Sequence, residues 1–145
     1  MDDDLRSFGE SLITTAARIV RWTPKDEDFE ISIAAARLLA RLNDDGPTRI
    51  SDLAVAERCS QPTITNHVKR LESSNLVDRT VDPSDGRAWM ISISDGGRER
   101  LAQMRASLSR SIEPYLARLS RRDLKALHEG VDVMKRLMDL DRLPR

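Results

Sequence analysis

The sequence is short of cysteine, of histidine and of net charge, and these shortages exclude several kinds of protein. Cys59 is the single cysteine in 145 residues, so an internal disulfide is excluded and a reducing environment is expected. The two histidines, His67 and His128, form no spaced cluster of metal ligands with that cysteine. The 24 basic and 24 acidic side chains cancel, so the overall charge does not by itself favour a nucleic-acid partner.

Long apolar runs and the motifs of common enzymes are also missing. No stretch approaches the roughly 20 apolar residues of a membrane-spanning helix, and no basic segment followed by an apolar one indicates a signal peptide. We therefore expect a cytoplasmic protein with no membrane partner. The absence of a P-loop, of GxGxxG and of a nucleophile spaced from a base disfavours an enzyme, for example a cysteine-dependent peroxide or thiol catalyst. No cofactor is expected.

The charges that are present are unevenly distributed. Residues 1–46 carry 6 basic and 10 acidic side chains, residues 47–100 carry 8 of each, and residues 101–145 carry 10 basic and 6 acidic. The acidic first part and the basic last part could attract one another, within one chain or between two chains.

Apolar side chains that recur every three or four positions predict amphipathic helices at both ends of the chain. A first helix is expected over about residues 5–22, followed by a polar loop at 23–28. Ser32 can cap a second helix that stops at residues 43–47. After Ser94, a striped helix of about 25 residues contains Pro114 as a kink or break. Residues 120–123 then have the spacing of a capping box, with Asp in place of Glu, before a last helix.

The middle of the chain changes its pattern twice. A short helix opens at Ser51, and a second opens near Ser60 with Pro62 in its first turn. From residue 76 to residue 94 the period falls to two, and the turn residues 82–86 separate two predicted strands. The loop of this hairpin is longer than the tightest kind. The order predicts a mainly α protein with a small β-wing.

The second short helix has one polar face. If Ile64, Val68 and Leu71 face inward, the opposite face carries hydroxyls, an amide and cations but no acid. An asparagine can bond adenine, a threonine offers a hydroxyl and a methyl group, and cations reach guanine edges or phosphates. The start of the helix also points backbone N–H groups toward phosphate. The alternative is an ordinary solvated helix face. The outward residues are Pro62, Thr65, Asn66, Lys69, Arg70 and Ser73.

Two short helices followed directly by a hairpin form a winged helix-turn-helix arrangement. The runs ISDLA at 50–54, SQPTIT at 60–65 and DPSDGR at 82–87 resemble the MarR family of bacterial transcription regulators. The Asp-x-Arg pattern at Asp85 and Arg87 is the most specific mark of that family. The resemblance is strong over about residues 47–100, and the order and length of the helices extend it to nearly the whole chain.

The resemblance implies a homodimer that binds pseudo-palindromic promoter DNA, commonly as a repressor released by a small ligand or by oxidation. A small aromatic or phenolic compound is the expected kind of ligand. Arg87 would enter the minor groove or hold its phosphates, and Asp85 would orient Arg87. The DNA-binding residues expected before the hairpin are Ser60, Gln61, Pro62, Thr63, Thr65, Asn66, Lys69 and Arg70.

The chain departs from the family pattern at two positions. Many relatives carry Arg where this chain has Asn66, so the base preference is expected to differ. The turn position often held by Gly is Arg58 here. Either the turn relaxes, or Arg58 adds a phosphate contact.

Two further side chains have more than one interpretation. Cys59 is either a small hydrophobe packed inward or a redox switch. Trp22, at the end of the first helix, either lines a ligand pocket or belongs to the core.

The broad apolar stripes of the terminal helices predict a dimer, because long amphipathic helices need a partner to cover them. The alternative is an intramolecular bundle. We expect N-terminal helices for dimerisation and support at 1–46, a winged helix-turn-helix DNA-binding module at 47–100, and C-terminal dimerisation helices at 101–145. The competing function is a dimeric interaction module of the same fold that does not bind DNA, which the zero net charge favours.

Overall fold

The computed structural model of the chain describes residues 2–22 and 31–140, and the loop expected at 23–28 lies outside them. The mainly α fold with a small β-wing is confirmed. In chain order the described elements are α1 (Asp2–Trp22), α2 (Ile33–Asp45), β1 (Thr48–Arg49), α3 (Ile50–Ala56), α4 (Gln61–Ser73), β2 (Val77–Asp82), β3 (Asp85–Ile93), α5 (Asp95–Leu116) and α6 (Arg121–Leu140).

The described residues form two compact units. One unit contains α1, the part of α5 from Leu108 onward, and α6. The other contains α2, α3, α4, the three strands and the part of α5 that ends at Ser107. Within residues 2–22 and 31–140, no helix combines the length and the apolar content that crossing a bilayer requires.

The ends of α2 follow the local signals in the sequence. The Ser32 hydroxyl oxygen accepts a hydrogen bond from the amide of Ala35 at 3.2 Å, which caps the helix as expected. At the other end Gly46 has a φ of +79°, a conformation that glycine adopts without the steric cost of a side chain. The helix therefore stops two residues after Asn43, inside the predicted range.

The hydrophobic core of the second unit lies between α2, α3, α4, the start of α5 and one face of the sheet. Each large apolar side chain removed from water in this way contributes about 1.5–3 kcal/mol relative to an exposed one. The most completely buried members are Leu38, Leu39, Leu42, Leu53, Val68 and Ile91.

The sheet has three antiparallel strands in the order β1-β3-β2, one strand more than the sequence predicts. The extra strand is β1, in which Thr48 lies opposite Ile91 and Arg49 opposite Met90. A strand of two residues is too short to show an alternating pattern, so the period of two could not reveal it.

The pairing of β2 with β3 is irregular at the end of the hairpin, and we define residues 82–88 as the hairpin tip. The regular pairing of β2 with β3 ends at Val81 opposite Trp89, and Asp82 then lies opposite Asp85 after a register shift. β2 ends at Asp82 and β3 begins at Asp85, so only Pro83 and Ser84 connect the strands. The expectation of a loop longer than the tightest hairpin turn is therefore wrong, because the turn signals at 85 and 86 lie within the irregular start of β3.

The carboxylate of Asp82 organises this tip. Its Oδ1 accepts hydrogen bonds from the hydroxyl of Ser84 at 2.7 Å and from the amide of Ser84 at 2.8 Å. Its Oδ2 accepts one from Arg49 Nε at 2.5 Å. These contacts lower the pKa of Asp82 from 3.8 to about 2. The two hydrogen bonds from Ser84 have the largest effect, and the hydrogen bond and charge of Arg49 have a smaller one.

The start of α5 packs closely against the segment that leads into β2. The Ser94 hydroxyl accepts a hydrogen bond from the amide of Gly97 at 3.0 Å, as expected for a cap, and donates one to the carbonyl of Asn75 at 2.7 Å. A Cβ at Gly97 would lie 2.1 Å from the carbonyl oxygen of Leu76. Only a residue without a side chain permits this approach of two backbones.

The later helices end and begin near the predicted signals. α5 ends at Leu116, two residues after Pro114, and has 22 residues where the sequence predicts about 25. The Ser120 hydroxyl oxygen accepts from the amide of Asp123 at 3.1 Å and donates to its Oδ2 at 2.7 Å. The capping box is therefore only partly formed, because the short aspartate bonds the hydroxyl instead of reaching back to the Ser120 amide.

We predict that Gly97→Ala lowers the free energy of unfolding by about 1–3 kcal/mol, the usual range for an overpacked site. The backbone of Leu76 or of α5 must move to accept the new methyl group. Chemical denaturation followed by circular dichroism measures the effect. Gly86→Ala is the matched control, because a Cβ at Gly86 meets nothing within 4 Å. An equal loss of stability in both variants would contradict the proposed close approach.

We predict that acid weakens the tip through Asp82. Because its pKa is lowered in the folded protein, the stability that its charge provides is complete above pH 3.8 and is lost as the pH falls to about 2. Asp82→Asn should flatten the dependence of the melting temperature on pH in this window. The control is Asp78→Asn, at an exposed position of the same strand, which should keep the wild-type slope. A wild-type slope in Asp82→Asn would disprove the assignment.

Candidate nucleic-acid interface

The turn between α3 and α4 keeps a left-handed residue although that residue is an arginine. Arg58 has a φ of +52°. The amide of Cys59 bonds the carbonyl of Ala54 at 3.1 Å, and the amide of Arg58 bonds the carbonyl of Val55 at 3.1 Å, which is the Schellman pattern. A left-handed backbone costs an ordinary residue roughly 1–2 kcal/mol. The turn has therefore not relaxed, and a phosphate contact by Arg58 remains a prediction.

A group of ion pairs fixes the end of α3 to α2. Glu57, whose side chain is only 11% exposed, binds Arg37 Nη2 at 3.0 Å and Arg41 Nε at 2.6 Å. The hydrogen bond from Arg41 to Glu57 is the main reason that the pKa of Arg41 is raised. Because Glu57 immediately precedes the left-handed turn, these pairs hold the point from which α4 starts.

α4 begins at the predicted cap. The Ser60 hydroxyl oxygen accepts from the amide of Thr63 at 3.3 Å, and the two hydroxyls share a hydrogen bond of 2.7 Å. Pro62 lies in the first turn, where its missing N–H leaves no helical hydrogen bond unmade. The Thr65 hydroxyl donates to the carbonyl of Gln61 at 2.8 Å. The hydroxyls at this end of the helix are therefore held by the helix itself.

The two faces of α4 are divided as the sequence predicts. Ile64, Val68 and Leu71 are buried in the core. Four polar side chains are exposed and make no hydrogen bond or ion pair within the described part of the chain: those of Gln61, Asn66, Lys69 and Arg70. Thr65 is half-buried, and its hydroxyl is already engaged. The structure thus brings the predicted reading residues together on one accessible surface. Thr65 is the member of this surface whose hydroxyl is least available to another molecule.

Arg87 lies in the exposed tip of the hairpin. Asp85 Oδ1 accepts a hydrogen bond from the backbone amide of Arg87 at 3.0 Å. Asp85 therefore shapes the backbone next to Arg87, while the guanidinium is exposed and makes no hydrogen bond to any described residue.

The remaining predicted residues belong neither to α4 nor to the hairpin tip. Cys59 is half-buried and packs against the core of its unit. Trp22 is 49% exposed, and its ring contacts that of Tyr115 edge to face at 4.8 Å between centroids. A groove of about 380 Å³ is lined by Thr15, Arg18, Ile19 and Trp22, all of α1. Among the described residues, no group of three histidine, cysteine, aspartate or glutamate side chains could hold a metal ion.

Three groups of polar side chains near the site do not follow from the pattern of the sequence. They are the Glu57 ion pairs, the bond from Arg49 to Asp82, and the guanidinium of Arg79, which lies 4.4 Å above the ring of Trp89. The first two join residues far apart in the chain, so no local spacing reveals them. The third depends on the register of the hairpin. The alternating pattern indicates only that Arg79 and Val81 share a face of β2, and it does not show that Trp89 of β3 lies beside them.

The chain is similar to known regulators over most of its length. Residues 31–89 match the model of the MarR family. An uncharacterised HTH-type transcriptional regulator of Mycobacterium bovis, Mb0904, is 29% identical over 109 residues, which cover 75% of this chain and 76% of that protein.

Solved structures have the same fold. The crystal structure of RV1404 from Mycobacterium tuberculosis covers 97% of this chain and 96% of that chain with a TM-score of 0.75 at 19% identity. A mutant MarR from E. coli, complexed with operator DNA, covers 72% of this chain and 76% of that chain with a TM-score of 0.55 at 17% identity. The family match covers the helix-turn-helix and most of the hairpin, and the curated relative is named as a transcriptional regulator. The chain is therefore similar to transcriptional regulators of the MarR family.

Proposed function

We propose that the protein is a homodimeric repressor that binds a pseudo-palindromic operator through α4 and the hairpin tip. The observation that carries the proposal is the unpartnered polar face of α4. Gln61, Asn66, Lys69 and Arg70 face solvent without a hydrogen-bond partner in the described part of the chain, while the other face of the same helix is fixed in the core. The similar mutant MarR that is complexed with operator DNA supports this use of the fold.

Each side chain of this surface has a distinct proposed task. Asn66 reads adenine through its amide, and Lys69 and Arg70 reach guanine edges or phosphates. Thr65 offers its methyl group, because its hydroxyl bonds the helix backbone. Arg87 enters the minor groove or holds its phosphates. The first turn of α4, with Ser60, Gln61, Pro62 and Thr63, receives a phosphate at its positive end.

A second copy of the chain is proposed to cover the apolar surface of the terminal helices. None of the 20 residues described in α6 is buried. Its apolar side chains, from Leu124 at 37% to Met138 at 63%, are exposed together with Leu5, Phe8, Ile13 and Val20 of α1. Many large apolar side chains exposed on the same two helices are typical of an interface. A two-fold dimer also places two reading helices roughly 34–36 Å apart, as successive major grooves require.

In this proposal residues 47–100 read DNA, and the helices at 1–46 and 101–145 support and dimerise the reading module. A small aromatic or phenolic ligand near Trp22 and Tyr115 would release the operator. Oxidation of Cys59 is the less favoured route, because the thiol is half-buried against the core. Action on operator DNA requires a location with the chromosome, in keeping with a cytoplasmic regulator.

The test of DNA reading is Asn66→Ala on an operator selected from fragments of the source genome. Loss of the amide should weaken binding by about 1–3 kcal/mol and relax the preference at one base position. Competition titrations with single-base operator variants measure both effects. Asn43→Ala, at the exposed end of α2, is the matched control. Equal weakening on all sequences would show that Asn66 does not read a base. A wild-type chain that binds no duplex even at low salt would instead indicate an interaction module.

The test of assembly is Leu127→Glu, which places a charge in the middle of the apolar stripe of α6. We expect the mass in solution to fall from that of two chains to that of one, measured by analytical ultracentrifugation. Operator affinity should fall at the same time, because one reading helix is lost. Arg136→Glu introduces the same side chain on the opposite face of α6 and should leave the dimer intact. A dimeric Leu127→Glu protein would contradict the assignment of this face.

A further inference from the structure

The hairpin carries an exposed aromatic ring and a cation that the proposed reading surface does not use. The guanidinium carbon of Arg79 lies 4.4 Å from the centroid of the Trp89 ring. Trp89 is nevertheless 42% exposed, and Val81, which lies opposite it on β2, is 48% exposed. We call this group the Arg79–Trp89 stack. Trp89 and Val81 therefore form a small exposed apolar surface beside the guanidinium of Arg79.

The stack lies on the same side of the sheet as α4. Val77 and Ile93 are opposite each other and buried in the core that Ile64 and Val68 of α4 share. Side chains two positions apart on a strand lie on the same face. Arg79 and Val81 therefore continue the face of Val77 outward, and Trp89 continues the face of Ile93. Beyond the core, this face is open beside the recognition helix.

The guanidinium of Arg79 is held in place but has no ionic partner. Its Nε is buried and makes no hydrogen bond. No carboxylate within the described part of the chain forms an ion pair with Arg79. The ring of Trp89 therefore restrains the guanidinium, and its remaining N–H groups are not used by neighbouring residues. Because the stack already restricts the side chain of Arg79, binding an anion costs this side chain less conformational entropy than it would cost a flexible arginine.

We propose that Arg79 donates to a DNA phosphate and that Trp89 is the positioning residue that orients its guanidinium. The proposal rests on the DNA-binding function proposed above. A protein that places α4 in a major groove and a hairpin tip in the adjacent minor groove must pass over the strand of phosphates between them. The Arg79–Trp89 stack lies on the side of the hairpin that faces α4, where this strand would run. A planar guanidinium suits a phosphate better than an ammonium group does.

The experiment measures the binding of a mixed-sequence duplex of about 30 base pairs, roughly three DNA turns, as a function of salt. A phosphate contact is independent of sequence, so the operator is not needed. Arg79→Gln should weaken binding three- to ten-fold at low salt. It should also lower the slope of log affinity against log salt by about 0.9 for each Arg79 that contacts the duplex. Arg105→Gln, at an exposed position of α5, is the matched control and should change neither quantity.

The role of Trp89 is separated from that of Arg79 by its own variants. Trp89→Leu keeps apolar bulk but removes the aromatic face, so it should weaken binding while leaving the salt slope close to that of the wild type. Trp89→Phe keeps a ring and should restore most of the affinity. A merely structural role would lower the melting temperature in proportion to the loss of affinity. Wild-type affinity in Trp89→Leu would overturn the positioning role.

A second measurement does not depend on the folding of any Arg79 variant. In Trp22→Phe, Trp89 is the single tryptophan of the chain. The duplex should protect its fluorescence from quenching by acrylamide, because a phosphate strand covers the stack. Unchanged quenching on addition of the duplex would overturn the phosphate contact alone. So would wild-type affinity and a wild-type salt slope in Arg79→Gln, if Arg87→Ala lowers both quantities. Absence of duplex binding by the wild-type chain would overturn the DNA-binding function together with it.

Discussion

The structure depends on a division of one short helix into two unlike faces. Ile64, Val68 and Leu71 fix α4 in the core, so the helix cannot rotate without exposing them. The opposite face is then held outward with its polar groups unsatisfied by the rest of the described chain. A buried face and an unpartnered face on the same 13 residues make α4 a rigid element whose hydrogen-bonding groups are directed to another molecule.

Ion pairs set the two ends of the proposed reading surface. Glu57 binds two arginines of α2 just before the turn that leads into α4, and Asp82 binds Arg49 at the base of the hairpin tip. Both carboxylates are largely covered, so neither presents a free negative charge to an approaching phosphate. The zero net charge of the chain does not exclude DNA binding, because a phosphate meets the local surface, and the exposed face of α4 carries Lys69 and Arg70 without an acid.

Local signals predicted the fold well, and long-range pairings were missed. The caps at Ser32, Ser60 and Ser94 and the apolar spacing of α4 were correct, since each depends on neighbours within one or two turns. β1 was missed because two residues cannot show a period. The contact of Arg79 with Trp89 requires the register of the hairpin, which the irregular tip shifts. The roles of the site residues remain predictions, since the similar proteins support the fold and a resemblance to the MarR family but assign no role to a residue of this chain.

The lack of any buried side chain in α6 has a consequence for how the protein holds its shape at different concentrations. Helices gain most of their stability from packing an apolar face rather than from their own hydrogen bonds. α6 obtains little of this packing from a single chain. If a second copy supplies it, mass action couples folding to association, and the temperature of unfolding rises with the amount of protein present. The folded state and the assembled state of α6 would then be the same state.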